Sequence, residues 1–168
     1  MSETFSTLTA AALLAATGAL AQEAAPQKFD SAFTWTVVEL SKVPMGEGQE
    51  AYVQENFIVN TDTEGPLAGL AGRCLFAGVT DLTTSGLRET ATCVLQDAEG
   101  NQLWERVQGA SEGNEAPWEG TTTWIGGTGR FEGASGEQSV KATFSASPRA
   151  GVYQGTGVRH GTLVLPGN

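Results

Sequence analysis

Cys74 and Cys93 are the only cysteines in the chain, and each lies inside a run that reads as a β-strand. Residues 73–80 and 88–96 are rich in apolar and β-branched side chains, and the turn-forming segment from Asp81 to Gly86 separates them. A hairpin centred between Thr83 and Thr84 sets Cys74 directly opposite Cys93. Opposed residues of antiparallel strands point to the same face, with Cβ atoms close enough for a disulfide. The alternative is a pair of buried free thiols. A bridge closing a loop of about 20 residues stabilises a fold by roughly 3 kcal/mol in the chain-entropy treatment. Metal or thiol catalysis is not expected, since there is no CxxC pair and the only histidine is His160.

A second turn follows at residues 97–101, where Asp97 opens a type I turn and Gly100 supplies the positive φ of a hairpin bulge. A calcium loop needs more oxygen ligands at alternate positions and flanking helices. A plain hairpin is the better reading.

With 168 residues the chain is long enough for one domain with a real core. Its 22 glycines, frequent threonines and lack of long helix-forming runs favour an all-β architecture. The formal net charge of -10, with only 9 scattered basic residues, argues against nucleic acid and anionic membrane surfaces as partners.

Residues 1–21 differ in kind. An apolar Ala/Leu run from Leu8 ends in Ala19-Leu20-Ala21, a small-x-small pattern typical of signal-peptidase sites, although the preceding segment carries Glu3 and no Lys or Arg. The expectation is a signal peptide over 1–21, a leader over 22–32 and a secreted or periplasmic domain over 33–165, in keeping with a disulfide. A membrane anchor or an unstructured tail are the alternatives; the run is short for an anchor.

From Phe33 onward the chain reads as about eight short strands. The first is Phe33 to Leu40, with Phe33, Trp35 and Val37 on one face. In the next, Glu50 to Asn60, Val53, Phe57 and Val59 alternate with Tyr52, Gln54 and Asn56. The strands around the cysteines follow, then an acidic loop over 109–117 with Glu112 and Glu115, a strand at 118–125, and last strands at 137–146 and 152–165. Regular strands with turn signals between them make a sandwich or a closed barrel. Closure removes exposed edges, which favours an eight-stranded antiparallel barrel.

Residues 124–136 form a glycine-dense connection that matches neither a phosphate loop nor a nucleophile elbow. A structural role fits it better, with the glycines turning the chain and Phe131 plugging the core. This W-x-G-G-T-G-x-F-x-G-x-x-G arrangement, preceded by a cysteine-bearing strand and a D-x-x-G-N turn, resembles exported bacterial proteins of the allene oxide cyclase barrel-like family, which are similar to plant dirigent proteins. The resemblance implies an eight-stranded antiparallel barrel and raises a cofactor-free isomerase or cyclase as one activity.

A small barrel has one natural site, its lumen. Trp35, Phe57, Trp104, Trp124 and Phe144 are the candidate ligand-binding residues, with Trp118 beside them; the alternative is that they fill the core. Among the charges in strands, Glu39, Glu55, Arg73, Glu105, Arg106, Glu119 and Arg159, any that point inward must be paired, and an inward Glu–Arg pair is the first candidate for acid–base work or polar recognition. His160 reads as a surface residue, since no nucleophile or metal partner is identifiable for it. No catalytic residue can be assigned. The leading reading is an exported barrel, non-enzymatic, that binds a small apolar or aromatic molecule or acts as a structural module; no cofactor is expected and a homo-oligomer is compatible. A partner-binding role for the acidic loop is a third reading. A deep lumen with an inward Glu or Tyr would favour the enzyme, and a lumen filled by Trp and Phe would argue against any ligand.

Overall fold

The computed structural model describes residues 25–166 except 114. The expected signal peptide over 1–21 lies outside the described residues. The strands are β1 (Gln27–Pro44), β2 (Gln49–Asn60), β3 (Ala71–Asp81), β4 (Leu87–Gln96), β5 (Gln102–Ser111), β6 (Trp118–Gly127), β7 (Gly136–Arg149) and β8 (Val152–Leu163). Each pairs antiparallel with its sequence neighbours, and β8 returns to pair with β1, closing the barrel.

The elements follow local sequence logic. Cys74 pairs with Cys93 in the β3–β4 register, and the two form a disulfide with Cα atoms 3.9 Å apart. In the β4–β5 turn, the Asp97 carboxylate accepts hydrogen bonds from the backbone N–H groups of Glu99 and Asn101, and Gly100 sits at φ 88. Arg130 reaches the same carboxylate at 2.8 Å and, as the main cause, holds it down at a pKa of about 2. The hairpin reading of this turn holds.

Several boundaries differ: β1 runs on to Pro44 and β7 to Arg149, and two further shifts bear on the site. β1 begins at Gln27, within the stretch read as leader, because Phe29 and Ser31 continue the inward phase of Phe33 and pair with β8. The first three residues of the expected acidic loop, Gly109 to Ser111, belong to β5, paired with β4 up to Leu87.

Three register irregularities interrupt the sheet, one of them near the β7–β8 turn between Ser145 and Arg149, and such bulges bend strands. The β1–β2 register slips between Glu39 and Ser41, which shifts the phase of β1 and brings both Glu39 and Lys42 to one end of the lumen. The β5–β6 register slips between Trp104 and Glu105.

One end of the barrel is plugged. Leu67 and Leu70 from the β2–β3 loop and Phe131 from a 3-10 turn at Gly129–Phe131 are at most 1% exposed, and they pack with Phe29, Leu95, Leu103, Trp124 and Leu163. Phe131 plugs the core as its sequence context predicts. The hairpin turns β1–β2, β3–β4 and β7–β8, together with the loop after Ser111, all lie at the opposite end, which is open.

Candidate functional site

Alternation along the strands puts a second set of buried side chains above the plug, including Phe33, Trp35, Val37, Ile58, Phe76, Val107, Trp118, Val140 and the disulfide. These do not fill the barrel. A cavity of about 370 Å³ remains between them and the open end, within the range of small-molecule sites. Close approach shapes its walls. The Trp118 indole lies over Gly109 and Gly120, where any Cβ would come within 2.3 Å of the ring, and meets Phe76 edge-on at 6.5 Å.

At the floor sits a buried ionic cluster. Glu105 is 1% exposed and Arg159 2%. Arg159 Nη1 donates to Glu105 Oε2 at 3.3 Å, and Gln138 Nε2 donates to the same oxygen at 2.9 Å. The guanidinium also stands 4.7 Å from the centre of the Phe33 ring. Burial raises the Glu105 pKa, with Arg159 and Gln138 opposing. Glu105 Oε1, Gln138 Oε1 and Arg159 Nε have no hydrogen-bond partner, nor do Asn56 Oδ1 and Trp35 Nε1. Unsatisfied buried polar groups are expensive, so this floor and wall are suited to a ligand or water with polar atoms of its own.

Nearer the open end, Glu89 is 9% exposed. Its Oε2 accepts the Tyr52 hydroxyl at 2.6 Å and Gln54 Nε2 at 3.0 Å. Burial pushes the carboxyl up to about 7, while Tyr52 and the neighbouring Trp118 indole favour the ionised form. Burial and the Glu89 charge drive the Tyr52 phenol well above its ordinary value. No cation partners Glu89 among the described residues. Beside it at the mouth, Lys42 bridges Glu39 at 2.9 Å and Glu50 at 3.0 Å, hydrogen bonds that hold its ammonium well above the usual lysine range.

Of the residues expected to meet a ligand, Trp35 lines the cavity and Phe144 stands at its mouth, edge-on to Trp35 at 5.1 Å. Trp124 is inward but belongs to the plug, its indole donating to the Thr162 carbonyl. Phe57 and Trp104 lie on the outer face: Phe57 is 43% exposed between inward Asn56 and Ile58, and Trp104 follows inward Leu103. The sequence places both residues in strands but not on a face, because a step of one residue exchanges the faces.

Of the mid-strand charges, Glu105 and Arg159 form the inward pair. Glu55 pairs with Arg73, and Glu119 with Lys141, away from the lumen. His160 is exposed beside Asp30. Glu89, Tyr52, Gln54 and Gln138 were not singled out from sequence, yet Glu89 lies four residues before Cys93 on the same alternating face. Cys74, Cys93 and Glu105 offer three donor atoms within 4.8 Å, but the sulfurs are bonded to each other, and a single carboxylate does not make a metal centre.

No protein-family model matches the sequence, and no curated protein matches it. Among solved structures, that of a pterocarpan synthase dirigent protein is similar, with a TM-score of 0.51 and 16% identity over 94% of this chain and 99% of that one. At that identity the likeness is one of fold: the chain forms a dirigent-like, eight-stranded antiparallel barrel.

Proposed function

We propose that this chain is an exported barrel whose lumen binds a small, largely apolar or aromatic molecule. The observation that carries the reading is the 370 Å³ cavity, walled by Trp35, Phe76, Trp118 and aliphatic side chains and open at one end. Export is supported by the disulfide and by the signal-like composition of residues 1–21. Kinship with the allene oxide cyclase barrel-like family belongs to the same proposal and rests on the glycine-rich motif.

The test is titration with the apolar fluorophore N-phenylnaphthylamine, alongside native mass spectrometry for a co-purifying molecule. Saturable one-site binding is expected, and it should vanish in Ala142→Trp, which fills the lumen, provided circular dichroism shows the barrel intact. Absence of saturable binding to the wild-type chain would sink the reading.

A second reading is a cofactor-free isomerase or cyclase. Glu89 favours it, because a lumen carboxyl near neutrality, hydrogen-bonded to a tyrosine, can take up or release a proton, while the walls hold a flexible substrate in a reactive shape. On this reading Glu89→Gln lowers turnover by about 100-fold or more with ligand binding retained; equal turnover would leave binding alone.

A further inference from the structure

The ionic balance of the lumen is uneven. At the floor, Arg159 is matched by Glu105, and at the rim Lys42 is shared between Glu39 and Glu50. Glu89 has no cationic partner among the described residues: Tyr52 and Gln54 bond its Oε2 and the Trp118 indole stands against the carboxyl, so all of its neighbours are neutral. Aromatic side chains stand beside it: Tyr52 presents its hydroxyl and Trp118 its indole, with Phe76 beside Trp118.

We infer that the lumen takes an amine-bearing aromatic molecule, its ammonium held by Glu89 among Tyr52 and Trp118 and its apolar body directed toward Trp35 and Phe76. The inference rests on the proposed lumen-binding reading and specifies its ligand class. A carboxylate and an aromatic face both attract a cation, and both act more strongly away from water. Two unpartnered acceptors, Asn56 Oδ1 and Glu105 Oε1, belong to residues that line the deeper lumen, where hydroxyl or amide donors on the body of the ligand would find partners. An anionic ligand fits poorly, because it would meet Glu89 on entry and Glu105 beside the neutralised Arg159.

The field outside the lumen points the same way. Glu47, Asp81, Glu112 and Glu115 lie in the loops and strand end around the open end, against Arg88 and Arg149, while Lys42 is shared by two carboxylates, and the chain carries a formal net charge of -10. A mouth with an excess of negative charge concentrates cationic ligands.

Three matched probes test this by isothermal titration of the full chain at about pH 8, where Glu89 is ionised: naphthylethylamine, naphthylethanol and naphthylacetate. The amine should bind at least about tenfold more tightly than the alcohol, and the acid most weakly. In Glu89→Gln the gap between amine and alcohol should shrink to about threefold or less while the alcohol still binds. A second measurement needs no variant: at about pH 5.5 the wild-type preference for the amine should fall, since Glu89 is then protonated. The groups facing Glu89 are Tyr52 and Gln54 from β2 and Trp118 from β6, with Lys42 of β1, held by Glu39 and Glu50, beyond Tyr52 at the mouth; Tyr52 and Lys42 both titrate well above that interval. Alcohol binding without amine preference, or tightest binding of the acid, overturns the amine inference and leaves lumen binding standing. A preference that survives Glu89→Gln also overturns it, and failure of all three probes removes both readings.

Discussion

A carboxylate and a guanidinium held at the floor of an apolar cavity are each tolerable only because of the other. Glu105 and Arg159 are almost fully buried, and Gln138 donates a further hydrogen bond to the Glu105 carboxylate. Replacing Arg159 by Met strands the carboxylate, and we expect a loss of about 3–5 kcal/mol in denaturant unfolding. The double replacement Glu105→Leu with Arg159→Met should lose clearly less, because no charge is left alone. Glu89 differs in having no cation. Its folded pKa, about 7, lies above the ordinary 4.5, so the native state binds the proton more tightly than the unfolded chain. Its contribution is fully present below about pH 4.5 and is lost as pH rises through about 7. Stability of the wild type relative to Glu89→Gln should therefore fall across that window by on the order of 3 kcal/mol, measured as the difference of two pH–stability curves. A flat difference would place the carboxyl in water.

At the scale of elements, two features convert a ribbon of hairpins into a vessel with one closed end. Register slips in β1–β2 and β5–β6 supply curvature, and the 3-10 turn before β7 carries Phe131 into the lower end. This side chain is 0% exposed and packs with two loop leucines and five strand residues. Phe131→Ala should cost about 3–5 kcal/mol of unfolding free energy. It should also open the plugged end, so that an apolar fluorophore binds with changed stoichiometry or affinity. Unaltered stability would mean that the plug is held by the leucines alone. The disulfide lies higher, lining the cavity wall between β3 and β4.

For the whole molecule, a ligand confined to the native lumen stabilises folding by mass action, about 2.7 kcal/mol at a hundredfold excess over its dissociation constant. Melting temperature should therefore rise with ligand concentration in the wild type and stay fixed in the lumen-filled Ala142→Trp chain. The closed barrel itself was legible in the sequence: turn residues at short intervals, two-residue alternation between them, and cysteines set symmetrically about Thr83 and Thr84 are local signals that hairpins obey. So was the need for any inward Glu–Arg pair, and Phe131 as a plug. What the sequence left open was phase. In β2 the apolar set Val53, Phe57 and Val59 faces solvent and Tyr52, Gln54 and Asn56 face the cavity, because pairing of Ile58 with the inward Trp35 locks the strand that way. In β4 the inward placement of Cys93 carries Glu89 in with it. Alternation is written residue by residue and reveals strands, whereas the choice of which alternate face turns inward is made only when eight strands close on one another, and that choice placed Tyr52, Glu89 and Glu105 in one cavity.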